Sequence, residues 1–332
     1  MEPFFLGYLL IPLGYTSALA ALSASAERAL VRGDAERAVK LLSMARKAPF
    51  LATYRSMCEV NLITAAYALE NYELVEEVWQ ALEPKLESLR PYAGSALASY
   101  GATLIGRGRY REAEALLRSP LQDPKPNQMV DSVTVLCKAF CKANLASALV
   151  NLGNLEEARE HLWSIDFEDT QCPLLESLVT FLRAYLLYLN GQIEQARSLA
   201  TQIDFANLPL LYRTELRYHY ATLLARCEDP EAADTVVSGV EWDTSSHRKL
   251  TRLRTLAKAE IASARNDLDT SLSYFKDLKA LQHRGALGYL RASRLAQRLN
   301  DESLRLEFLQ AASELDPESH WAGIARKKLA PA

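Results

Sequence analysis

Residues 97–117 read LASYGATLIGRGRYREAEALL, and their spacing decides the fold. Leu97, Tyr100, Gly101 and Leu104 fall on one face of a helix, and Ala113 and Leu117 on one face of a second. Between them Gly108 supplies the positive φ that ends the first helix. Two helices that cross closely need a side chain no larger than Ala or Ser at the contact, with large apolar residues around it. Moving outward, the same beat returns roughly every 37 residues. Gly33-Asp34 precedes Ala38, Gly153-Asn154 precedes Ala158, and Gly191-Gln192 precedes Ala196; Glu228-Asp229 precedes Ala233, and Asn266-Asp267 precedes Ser271. This is the pattern of stacked helical hairpins, each burying its apolar face against its neighbours.

Matched small residues fill the first helix of each hairpin (Ala26, Gly101, Ala146, Ala184, Ala221, Ala259, Ser293) and the second (Ala38, Ala113, Ala158, Ala196, Ala233, Ser271). Large apolar residues follow at Leu42, Leu117, Leu162, Val237, Phe275 and Leu309, and the last unit ends Ala312-Ser-Glu-Leu-Asp316-Pro317. Together these residues resemble the tetratricopeptide repeat (TPR) pattern over residues 19–317, in about eight units. The fold expected is all-α: a right-handed α-solenoid forming one elongated domain, closed by a capping helix within 318–332 (Trp321 to Leu329). Scarce β-branched runs and the lack of alternating apolar and polar stretches agree.

Three departures stand out. The unit around Glu70-Asn71-Tyr72 lacks the glycine and is ambiguous in register by one. The last unit has Arg305 where the pattern has Ala. An insert at 120–128, with Pro120, Pro124 and Pro126, cannot be helical and reads as a loop or hinge.

The net charge of −3 excludes no class of partner, but its distribution is uneven. Residues 121–245 carry 9 basic and 18 acidic side chains, and residues 246–332 carry 16 and 10. Such a gradient either orients a charged partner or reflects solvated helix faces. The five cysteines are odd in number and form no CxxC, so they read as buried thiols in a reducing compartment. Cys137 and Cys141 share a helix face, but nothing nearby completes a metal site.

From Pro3 to Ala26 there is no charge, and Phe4 to Leu13 is apolar nearly all round. A membrane anchor over 1–18, running on into the first repeat, is the expectation taken here. Arg28, Arg32, Arg37 and Lys40 follow it, which places the repeats in the cytoplasm. The alternatives are an apolar lid on a soluble cytoplasmic stack, or a signal peptide cleaved after Ala24-Ser25-Ala26, against which stands the lack of a positive start.

No catalytic constellation emerges. Walker, GxSxG and HExxH motifs are missing, and Gly106-Arg-Gly108-Arg sits at a hairpin turn with no strand before it. His161, His219, His247, His283 and His320 are scattered, so no metal or cofactor is expected. Binding is the better prospect. The TPR resemblance implies that first helices line a concave groove, which would place Phe181, Tyr185 and Tyr188, then Tyr218, His219 and Thr222, then Arg291, Arg294 and Arg298 there. Aromatics followed by arginines suit an extended peptide with an acidic end; tyrosines at helical spacing also suit packing between hairpins. Of the family's carboxylate clamp only Asn144 is matched. The basic row Arg248, Lys249, Arg252, Arg254 and Lys258 raises nucleic acid as a partner, which the acidic whole disfavours.

The function expected is a non-enzymatic, membrane-tethered adaptor that holds a protein or peptide. A soluble sensor of a signalling peptide or small ligand, and a regulatory subunit of an enzyme complex, are the alternatives.

Overall fold

A computed structural model describes residues 20–47, 52–89, 93–121, 132–168, 170–240 and 247–330. The segment 1–18 and nearly all of the proline-rich insert lie outside the described residues. Among those described there are 17 helices and no strand.

The helices are paired by one turn used eight times. Its first residue has positive φ: Gly33, Glu70, Gly108, Gly153, Gly191, Glu228, Asn266 and Asn300. The N–H of the next residue donates to the carbonyl five positions back, at 2.8 to 3.0 Å in every case, from Asp34 to Ala29 through Asp301 to Ala296. This closes the first helix by satisfying its last carbonyls. The same second residue then starts the next helix. Asp34, Asn71, Asp229, Asp267 and Asp301 each cap it by accepting a backbone N–H three residues on, worth about 1 kcal/mol apiece. The ambiguous register at Glu70 is thereby resolved: Glu70 takes the left-handed position and Asn71 the cap. Four positions on from each cap lies the small-residue slot. Ala38, Val75, Ala113, Ala158, Ala196, Ala233 and Ser271 fill it, all 0% exposed. Arg305 occupies the eighth and turns outward to pair with Glu302 at 2.6 Å.

The described chain divides into two compact units, residues 1–100 with 209–211, and residues 101–208 with 212–332. The boundary falls inside a helix, ahead of the proline insert.

The first unit contains α1 (20–31), α2 (Ala35–Arg46), α3 (Ala52–Ala68), α4 (Tyr72–Leu82) and the start of α5 (Ala93–Gly106). Leu42, Leu62, Ile63, Val75, Val78 and Leu82 form its interior. The Trp79 and Tyr100 rings stack at 4.1 Å.

The second unit contains the rest of α5, α6 (Tyr110–Arg118), α7 (Ser132–Leu152), α8 (Leu155–Trp163), α9 (Pro173–Leu189) and α10 (Ile193–Ala200). It continues with α11 (Leu210–Arg226) from residue 212 onward, α12 (Pro230–Ser238), α13 (Arg248–Ala264), α14 (Leu268–Ala280), α15 (Ala286–Arg298), α16 (Glu302–Leu315) and α17 (His320–Leu329). Gly101 lets the two helices approach closely here, since a Cβ would stand 2.6 Å from the Leu117 side chain, which would have to shift. In α7, Thr134–Leu152 is long and apolar enough to cross a membrane, yet half of it is buried inside the fold. It is a core helix, with Cys141, Leu145, Ala146 and Leu149 at 0% exposure. Burial pushes the Cys141 thiol up to about 12, which makes it unreactive. Cys172 departs from the expectation of core thiols by being only half-buried.

The chain end of this unit covers α15 and α16 with Ala322 and Ala325 of α17, and it also returns to where the unit began. The Arg111 N–H donates to Glu318 Oε2 at 3.1 Å, and the Arg284 guanidinium donates to the Arg107 carbonyl. A Cβ on Gly153 would meet the His320 ring at 2.8 Å. Residues 101–332 therefore curve until their two ends touch.

Candidate functional site

Curvature brings first helices of distant hairpins face to face. On α9, the Phe181 and Tyr185 rings lie 6.0 Å apart and those of Tyr185 and Tyr188 6.2 Å apart. His219 of α11 lies 5.6 Å from Phe181. Arg291 of α15 donates to the Tyr188 hydroxyl at 3.2 Å, across 103 residues of chain. Five of the residues expected in the groove thus form one continuous strip.

The other four do not join it. Tyr218, expected in the groove, is 2% exposed and lies in the core. The inward stripe of α11 is Glu215, His219, Thr222 and Arg226, spaced four, three and four, and Tyr218 lies about 100° round the helix from His219. Thr222 is on that stripe but buried, its hydroxyl donating back to the Tyr218 carbonyl at 2.9 Å. Arg294 is exposed, and Arg298 reaches the Asn266 side chain at 2.7 Å beside a hairpin turn. The basic row also fails to make a stripe. Lys249 pairs with Glu215 at 2.6 Å, Lys258 lies over the Tyr274 ring at 5.9 Å, and Arg254 points to solvent.

The strip is tied together by two residues that periodicity did not single out. Glu260 of α13 is completely buried; its Oε1 accepts from Arg226 at 2.8 Å and its Oε2 from Arg291 at 2.8 Å. Arg226 also hydrogen-bonds the Tyr185 hydroxyl. Burial pushes the Glu260 carboxyl up, but the two guanidinium groups outweigh it and hold it below the ordinary carboxylate range. One signal was available in sequence: Glu260 interrupts the apolar run Leu253, Leu256, Ala257, Ile261. A carboxylate there is costly unless cations face it.

Beside this centre, burial pushes Glu215 up, while Lys249 and His219 pull it down further, to about 2. His283 projects from a turn of the same left-handed type, between α14 and α15, where Gln282 has φ 55°. Burial first, then the charges of Arg252, His219 and Arg226, press its imidazole down to about 3. His283 is therefore neutral at ordinary pH and reports a positive local field. Among the described residues, no three His, Cys, Asp or Glu side chains are grouped to hold a metal ion.

The fold is an α-solenoid of repeated helical hairpins, the architecture of a repeat scaffold that binds partners. Residues 94–119 and 139–162 match the tetratricopeptide repeat family model. A solved structure of a monomeric IFIT1 mutant with Gppp-AAAA is similar at a TM-score of 0.47 and 15% identity, covering 94% of this chain and 77% of that one. No curated protein matches in sequence.

Proposed function

We propose that the protein is a non-enzymatic adaptor that holds an extended segment of a protein partner along the strip formed by Phe181, Tyr185, Tyr188, His219 and Arg291, with the acidic end of that segment towards the arginines. The observation that carries this reading is the contact of α9 with α15. It gathers rigid aromatic faces and cations on one inner surface, the composition that dominates binding energy at interfaces. A tether through residues 1–18 belongs to the same reading and rests on the uncharged sequence from Pro3 onward alone; carbonate-washed membranes that retain no protein would remove it.

Panning a random decapeptide display library against the full chain tests the adaptor reading. Enriched peptides are expected to lose binding at least tenfold with Tyr185→Ala/Tyr188→Ala, and again with Arg291→Glu. Equal binding by all three proteins rejects the strip. Enrichment of no peptide, together with tight binding of a single-stranded oligonucleotide, replaces the peptide by nucleic acid.

A further inference from the structure

The charges of the strip do not balance. Arg226 and Arg291 share a single carboxylate, that of Glu260. Their further contacts are neutral: the Tyr185 hydroxyl for Arg226 and the Tyr188 hydroxyl for Arg291. One positive charge is left over among side chains that are 6%, 0% and 27% exposed. The neighbours do not cancel it, because Glu215 is already committed to Lys249 and His219. Burial, and then the charge of Arg284, lower the pKa of Arg252. A desolvated charge without a counter-charge is unfavourable, so such a centre gains most from an anion.

We infer that this centre receives one carboxylate from an extended peptide, either an Asp or Glu side chain or the chain terminus. The inference rests on the adaptor reading and says which chemical group the strip recognises. The carboxylate takes the place of the Tyr188 hydroxyl on the Arg291 guanidinium. A neutral acceptor is thereby exchanged for a charged one that a guanidinium can grip through two parallel hydrogen bonds. Arg226 stays locked to Glu260. Glu260 is a positioning residue that aims both guanidinium groups while leaving them a net charge of one. A carboxylate matches that charge, whereas a phosphate monoester carries about −1.5 to −2 at pH 7 and would crowd Glu215 and Glu260. Phe181, Tyr185 and Tyr188 supply apolar faces for the residues beside the carboxylate.

The test uses the full chain and synthetic decapeptides of Gly, Ser and Phe, titrated by calorimetry. One carries an internal Glu and an amidated terminus, a second a free C-terminal carboxylate and no Glu, and a third neither. The better of the first two is expected to bind about 10- to 100-fold tighter than the third, and which one wins identifies the source. Arg291→Gln should erase that difference. Glu260→Gln should tighten the carboxylate peptide while lowering the thermal midpoint, opposite signs that a purely structural ion pair would not give. Where Glu260→Gln does not fold, Arg291→Gln decides alone. Peptide binding that Phe181→Ala weakens but that ignores both carboxylates overturns the inference and leaves the adaptor reading standing. Binding of a phosphoserine decapeptide tighter than the Glu form overturns the carboxylate, and binding of no peptide overturns both.

Discussion

Two buried carboxylates, one in each compact unit, are mirror images. Glu59 of α3 is 3% exposed and faces Arg46 at 3.3 Å, but Arg46 is shared with Glu77 at 2.8 Å. Its Oε2 accepts no hydrogen bond, and Lys85 Nζ is 3.9 Å away. There one guanidinium serves two carboxylates. At Glu260 one carboxylate serves two guanidinium groups, and both of its oxygens are satisfied. Both residues sit on the first helix of a hairpin, so the repeat itself does not decide between them. The deciding factor is curvature: Arg291 comes from the next hairpin along and also touches Tyr188 two hairpins further back, whereas Arg46 and Glu77 both stand on short second helices. A buried acid tied to its own neighbourhood is a structural contact. One that collects cations from several hairpins leaves charge over for a ligand.

The comparison breaks most readily at Glu260. Glu260→Ala strands two arginines and should cost about 3–5 kcal/mol in urea denaturation, whereas Glu59→Ala, whose partner retains Glu77, should cost about 1–2 kcal/mol. Equal losses would show that the two centres do the same work.

Acid separates the inner-face groups next. Glu215 titrates at about 2 when folded against about 4.3 unfolded. Its contribution is present above the unfolded value and is lost as pH falls through that window, by on the order of 2 kcal/mol. His283 is depressed to about 3, so the folded state binds fewer protons. Its destabilisation starts earlier, as pH falls below about 6.5. Melting curves from pH 7 to pH 3 should therefore show two onsets, with His283→Gln removing the first and Glu215→Gln the second.

The scaffold gives the smallest effects. Glu70 holds φ 56°, so Glu70→Gly should stabilise by about 0.5–1 kcal/mol. Arg294→Ala, on an exposed side chain, should stay within about 0.5 kcal/mol and leave peptide binding unchanged. A loss of binding there would extend the strip along α15.

Local pattern was enough for the hairpins. Gly or Asn before a capping residue, and Ala or Ser four positions after the cap, are short-range requirements of helix termination and close crossing, and one sequence displays them. Glu70 was harder to place as a turn residue, because the left-handed position tolerates a non-glycine when the turn's hydrogen bonds are complete. The proposed strip was legible only in part. Phe181, Tyr185, Tyr188, His219 and Arg291 were expected together from their place on first helices, whereas Tyr218, expected beside them, lies in the core, because a rotation of about 100° separates inward from buried and periodicity alone does not set that phase. Arg226 and Glu260 went unnoticed because neither has a charged neighbour in sequence that explains it.

What the chain encodes by itself is the repeat: which residues turn, which cap, and which are small enough for helices to cross. The tertiary structure decides the rest. Successive hairpins add small rotations, and only their accumulation over residues 101–332 brings Arg291 to Tyr188 and the last turn back to Gly108 and Gly153. Contacts made across more than a hundred residues depend on that summed geometry, which no local window contains.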